Sequence, residues 1–147
     1  TLFNAMGKPV EILQNNYPVQ LDRCLHNRFM AALEFRRVYI DFDETLVVGK
    51  HVHELAMAFL YQCRNRGIHV VLLTKHRYNL METLRTCGIS EHLFEDIIQI
   101  SDSQEKWTFI DPDGAIFIDN YWFDRRAVKT KWGIPVFDVD GIECLLR

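Results

Sequence analysis

The stretch Val38-Tyr39-Ile40-Asp41-Phe42-Asp43-Glu44-Thr45-Leu46 decides how the rest of the chain is read. A short β-branched and aromatic run ends in two carboxylates separated by one residue. The run has the composition of a buried strand, and a turn with only a structural purpose would more often carry Gly, Asn or Ser at that place. Ile68 to Thr74, Asp96 to Ile100, Ala115 to Asp119 and Ile134 to Asp138 are further runs of this kind, each expected to be a strand buried on both faces. Between them, Leu55, Phe59, Leu60 and Cys63 share one helical face closed by Gly67, and Leu80, Leu84 and Cys87 share another closed by Gly88. Two further helices fit Gln104 to Phe109 and Phe123 to Trp132.

Strands alternating with helices imply parallel neighbours, because the crossovers between parallel strands carry helices onto both faces of the sheet. The expected class is therefore α/β: a three-layer, Rossmann-like, doubly wound sheet of about five parallel strands. Residues 1–36 read differently. Thr1 to Tyr17 is irregular, and after Pro18 the spacing of Leu21, Leu25, Phe29 and Leu33 predicts one helix packed on the main fold. The expected organisation is an N-terminal extension and helix over 1–36 and a core domain over 37–147.

Composition narrows the function classes. The chain has 147 residues, 48% hydrophobic and 25% charged, which suits one globular domain and excludes disordered and collagen-like classes. Its 17 Lys and Arg against 20 Asp and Glu give a formal charge of -3, so the basic footprint of a nucleic-acid or anionic-membrane binder is missing. No run reaches the roughly 20 apolar residues of a membrane span, and the start lacks the plan of a secretory signal, so a soluble cytoplasmic protein is expected. Cys24, Cys63, Cys87 and Cys144 are widely spaced and read as small hydrophobes in a reducing compartment. The chain opens on Thr1 rather than Met, which is read as a processed chain or a piece of a longer one.

In doubly wound sheets ligands bind beyond the carboxyl ends of the strands. Those ends carry Asp41 and Asp43, then Thr74, then Asp119. Three carboxylates within roughly 4 Å of one another repel by several kcal/mol at an effective dielectric near 20, so a hard divalent cation is the simplest answer. Magnesium suits the pattern because it takes few protein oxygens, keeps waters and bridges to substrate phosphate. An aspartate in such a site can attack phosphorus and form an aspartyl phosphate.

The segment Val38 to Leu46 resembles the first signature of the haloacid dehalogenase (HAD) superfamily, a hydrophobic strand followed by D-x-D-x-T-L. Val70-Val71-Leu72-Leu73-Thr74 resembles its second, a strand ending in Thr or Ser, and Lys106 matches the lysine of its third. Ala115-Ile116-Phe117-Ile118-Asp119, with a further acid at Asp124, resembles the fourth. The resemblance covers Arg37 to about Asp140, with the motifs in the family's order. Two places depart from it: Asn120 and Ile118 stand where many members carry a second acid and a glycine.

This resemblance implies a magnesium-dependent phosphatase, a hydrolase of phosphomonoesters. Asp41 would be nucleophile and metal ligand. Asp43 would give its backbone carbonyl to the metal and its side chain as general acid, then as general base. Thr74 and Lys106 would hold phosphoryl oxygens, Asp119 would bind the metal, and Thr45, Asn120 and Asp124 would support the site. An N-cap role for Asp124 stays open. His51 and His53 read as a solvated polar edge, Arg125, Arg126, Lys129 and Lys131 as a solvated helix face, Lys75 and His76 as either substrate contacts or exposed residues, and Asp111 to Gly114 as a turn.

Three rival readings fit parts of the same pattern. A dehalogenase would need neither metal nor Asp43, and a receiver module would place its acceptor Asp where this chain has Ile98-Gln99-Ile100. A non-catalytic or regulatory HAD-like module of a larger multidomain biosynthetic protein is the rival from another class, against which the complete motif set weighs. Only Leu46 to Val52 follows the first motif before the next helix, enough for a small hairpin flap, and Thr74 to Lys106 holds only elements that the core needs. No cap domain is expected. An open site selects only when something covers it, so a macromolecular or carrier-linked phosphorylated substrate, a second copy of the chain or a neighbouring domain is expected over it.

Overall fold

The computed structural model describes residues 7, 11, 13–23 and 27–147. The chain runs β1 (Val19–Arg23), β2 (Asn27–Ala31), β3 (Arg37–Ile40), β4 (Val47–Val48), β5 (His51–Val52), α1 (Glu54–Asn65), β6 (His69–Thr74), α2 (Leu80–Thr86), β7 (Asp96–Gln99), β8 (Ala115–Ile118), α3 (Trp122–Trp132) and β9 (Val136–Phe137). Short 3-10 turns occupy Glu91–Leu93, Lys106–Phe109 and Val139–Leu145, so the helix expected from Gln104 is a single tight turn instead.

Five strands form one parallel sheet in the order β7-β6-β3-β8-β9, with Arg37 level with both His69 and Ala115. Because the chain moves outward from β3 in one direction and then returns to its other side, the sheet has its switch point between β3 and β8. In open α/β sheets that is where a crevice forms.

Alternate strand residues feed two cores. Val38, Ile40, Val70, Leu72, Ile116 and Ile118 pack with Phe59, Leu60 and Cys63 of α1 and with Leu84 of α2. Tyr39, Val71, Leu73, Ala115 and Phe117 face the other way, toward Val128 of α3 and Ile110. Both faces of the central strands are thus dry, and a β-branched run serves both. The edge strand β7 departs from the expectation of double burial: Asp96 and Gln99 are exposed and Ile97 and Ile98 only half-buried, as suits a strand with one neighbour. At the opposite edge the Asn15 side chain pairs with β9 like a short strand, donating to Val136 O (2.7 Å) and accepting from Val136 N (3.1 Å). Gly67 and Gly88 follow α1 and α2 with φ of 66° and 70°, the left-handed stop expected of them.

The N-terminal helix expected from Leu21, Leu25, Phe29 and Leu33 does not form. In its place β1 and β2 make an antiparallel hairpin with Val19 opposite Ala31 and Leu21 opposite Phe29. The reason is arithmetic: a spacing of four is a multiple of the strand period of two as well as close to the helical repeat, so it fits either element. Residues 24–26, including Cys24, lie outside the described residues. No helix among the described residues is long and apolar enough to cross a membrane.

Candidate active site

The site is assembled at the switch point. Asp41 follows β3, is 5% exposed, and is fixed to the neighbouring strand by donating its N–H to Ile118 O at 3.0 Å. The strand alternation then turns Phe42 into the core and returns Asp43 to the site. Glu44 takes a left-handed conformation (φ 52°), uncommon for a residue with a side chain, and its N–H bonds Val47 O at 2.8 Å. That bend reverses the chain into the small β4-β5 hairpin, the flap expected from the short interval after Thr45.

Lys106, at the start of its 3-10 turn, is 3% exposed and reaches the centre of the cluster. Its ammonium lies 2.8 Å from Asp41 Oδ1, 2.6 Å from Asp119 Oδ2 and 3.7 Å from Asp124 Oδ2. Asp119, wholly buried after β8, also accepts from Tyr121 N at 2.7 Å. Asp124, on the first turn of α3, is buried and pairs with Lys75 Nζ at 3.3 Å. The N-cap position is Tyr121, so the N-cap alternative for Asp124 is not the one realised.

One buried ammonium faces more negative charge than it can offset. Burial alone would lower the Lys106 pKa, but the charges of Asp41 and then Asp119 more than reverse this and hold it raised. Burial, followed by the like charge of Asp41, pushes the Asp119 carboxyl up to about 7. Asp41 Oδ1 is buried and, although close to the ammonium, receives no well-directed hydrogen bond from the described residues. The pocket therefore has room, in charge and in coordination, for another cation. Among the described residues no three His, Cys, Asp or Glu side chains form a ready-made cage. Two buried carboxylates and hard oxygen donors suit an ion that keeps most of its waters, which is the habit of magnesium rather than zinc.

Thr74 ends β6, is fully buried, and its hydroxyl oxygen accepts from His76 N at 3.2 Å, leaving its own proton free in direction. Thr45 is also fully buried and ties the two loops together: its hydroxyl accepts from Asn120 N at 3.2 Å. The open cleft, about 250 Å³, is lined by Asp41, Asp43, Thr74, Lys106, Asp119 and Asp124, with Glu44, Lys75, Asn120 and Tyr121 at its margins.

Three residues depart from the sequence expectation: Arg125, His76 and His53. Arg125 does not belong to a solvated face: it is 8% exposed, with one guanidinium nitrogen donating to Asp119 O and the other to Asp138 Oδ2 at 2.7 Å. It lies three residues before buried Val128 on the inner face of α3, a helical spacing that composition alone obscures. His76 is neither exposed nor in the cleft lining; its ring contacts the Asp43 carboxylate. His53 does not lie on the solvated edge expected of it: its Nδ1 is buried without a hydrogen-bond partner among the described residues, while His51 is exposed as expected. The turn at Asp111 to Gly114 is present, closed by Asp113 N donating to Asp111 Oδ1.

No protein-family model and no curated protein matches the sequence. Solved structures do match in shape. An N-terminal part of a Bacteroides fragilis protein, containing a phosphatase domain and complexed with Mg, superposes with a TM-score of 0.55 at 14% identity over 72% of this chain; the match spans 36% of that chain. An uncharacterised protein from Corynebacterium glutamicum gives 0.54 at 12% identity, covering 76% of this chain and 96% of the other. The 3-deoxy-D-manno-octulosonate 8-phosphate phosphatase of Yersinia pestis gives 0.50 at 14% identity, covering 86% and 89%. With the strand order β7-β6-β3-β8-β9 and the site at the switch point, the described residues share with these structures a Rossmann-like α/β fold built on a parallel five-stranded sheet.

Proposed function

We propose that the chain is a magnesium-dependent phosphomonoesterase that works through an aspartyl phosphate on Asp41. The observation that carries this reading is the buried cluster of Asp41, Asp119 and Asp124 around Lys106, with one Asp41 oxygen lacking a directed donor among the described residues. The phosphatase domains among its structural neighbours, one complexed with Mg, support it.

Asp41 and Asp119 side chains and the Asp43 backbone carbonyl would hold the ion, which when bound screens the nucleophile from the phosphate and polarises a phosphoryl oxygen. The chain's own residues do the rest. An Asp41 carboxylate oxygen attacks phosphorus as the bond to the ester oxygen breaks, and the Asp43 carboxylic acid gives its proton to the departing alkoxide. Lys106 and the Thr74 hydroxyl hold the oxygens of the transferring group and offset their charge. Water then attacks the aspartyl phosphate while the Asp43 carboxylate takes its proton, releasing inorganic phosphate and restoring both carboxyl groups.

Among the described residues the β4-β5 hairpin is the one flap that follows the first motif, so a bulky substrate, a second copy or an adjoining domain would have to exclude water. We therefore expect slow, promiscuous hydrolysis of small phosphates and faster turnover of a macromolecular or carrier-linked phosphate. The test is phosphate release from p-nitrophenyl phosphate by the purified chain with magnesium, with EDTA, and by Asp41→Asn. Magnesium-dependent release lost in Asp41→Asn supports the reading; a folded chain inert to aryl, sugar and peptide phosphates would favour the non-catalytic module.

A further inference from the structure

We propose that His76 is the positioning residue for Asp43, holding its carboxyl group in the orientation needed for proton transfer. The inference deepens the phosphatase reading and rests on it for its catalytic consequence. Asp43 directly precedes the bend at Glu44 and its side chain is 54% exposed. A free aspartate there would sample several rotamers. Instead, both of its oxygens meet one atom, His76 Nδ1, at 2.9 and 3.0 Å.

The histidine is itself held from every side. Its ring is 8% exposed and stands edge-on to Phe42 and Tyr78, with centroids 5.1 and 5.7 Å away. Its N–H bonds the Thr74 hydroxyl, and its carbonyl accepts from Gln99 Nε2 at 2.7 Å. The far ring nitrogen, Nε2, lies 3.1 Å from Thr83 Oγ1. The same hydroxyl also lies 3.0 Å from Asn79 O, which ties the ring to the start of α2. Nε2 is thus anchored on the Thr83 hydroxyl while Nδ1 faces both oxygens of the Asp43 carboxyl group. The chain Asn79, Thr83, His76, Asp43 runs from the start of α2 to the site and fixes the direction in which Asp43 presents its second lone pair or proton. His76 touches no reacting atom; it acts through Asp43.

General acid catalysis matters for a poor leaving group and little for an activated one, which separates positioning from general damage. The test is the ratio of kcat/KM for glycerol phosphate to kcat/KM for p-nitrophenyl phosphate, since both values report steps only through departure of the leaving group. In His76→Leu the ratio should fall by roughly 10²-fold, the cost of misplacing a catalytic group by about 1 Å. In His76→Asn, whose amide N–H stands near the place of Nδ1, most of the ratio should return. An equal fall for both substrates, or Asn no better than Leu, would overturn the proposal.

Nitrogen-resolved NMR of the histidine rings supplies a readout that does not need turnover or the leucine variant. Asp43→Ala should move the His76 Nδ1 resonance and leave Nε2 in place; an unmoved Nδ1 overturns the proposal. Wild-type chain that hydrolyses neither ester with magnesium, yet shows the Nδ1 shift, would refute the phosphatase reading while keeping the contact.

Discussion

Replacing Lys106 by Met removes the ammonium that lies within 2.8 Å of both Asp41 and Asp119 while keeping most of the side chain's volume. The residue is 3% exposed, so water cannot take its place without opening the site. Stripping one partner from a buried ion pair costs about 3–5 kcal/mol, because the remaining charge is left unpaired. At about 2.1 cal/mol/K of unfolding entropy per residue, 1 kcal/mol corresponds to roughly 3 °C for a chain of this length. Lys106→Met should thus melt about 10–15 °C below wild type when followed by circular dichroism in EDTA. Adding Asp119→Asn should recover much of the loss by removing a stranded charge, a coupling that a double-mutant cycle isolates. A Lys106→Met chain melting within about 3 °C of wild type in chelator would refute the charge argument on which the site rests.

Further outcomes follow from the same cluster and its surroundings. Asp41→Asn should abolish turnover and leave the metal-free fold at least as stable, since it removes one carboxylate charge from an over-charged pocket; kinetics and a thermal melt of the same preparation check both. Asp43→Asn should slow turnover of alkyl phosphates by roughly 10²–10⁴-fold, checked by phosphate release. In EDTA, wild-type stability should decline as pH rises from about 5 to 8: the Asp119 carboxyl, raised to about 7 in the fold from an ordinary 3.8, holds a proton that the unfolded chain has lost, and the stability this contributes disappears as that proton leaves. Melts across that range, with magnesium flattening the decline, test the sign. Burial pushes the Cys63 thiol up to about 12, so it should resist a disulfide reagent at pH 8 until the chain unfolds.

What could be read before folding was whatever is written locally. Val38 to Ile40 and Ala115 to Ile118 announce double-sided burial through an unbroken apolar run, and their terminal aspartates mark the end at which the site forms. The hairpin at Val19–Ala31 is not legible in the sequence because even spacings of apolar residues satisfy two periods at once. Arg125 looked solvated because its neighbour Arg126 is; only the helical rotation of α3 separates the buried residue from the exposed one. His76 stayed ambiguous because its partners, Asp43 and Thr83, come from separate elements, and a histidine's role is set by what meets its two nitrogens.

The central claim is that Asp41 becomes phosphorylated during turnover. Acid quenching of the chain while it hydrolyses p-nitrophenyl phosphate with magnesium, followed by intact-mass and peptide mass spectrometry, tests it most directly. A gain of one phosphoryl group located on Asp41, absent in EDTA and in Asp41→Asn, is the expected result. Sustained phosphate release that survives chelation, or that Asp41→Asn supports at the wild-type rate, would contradict it.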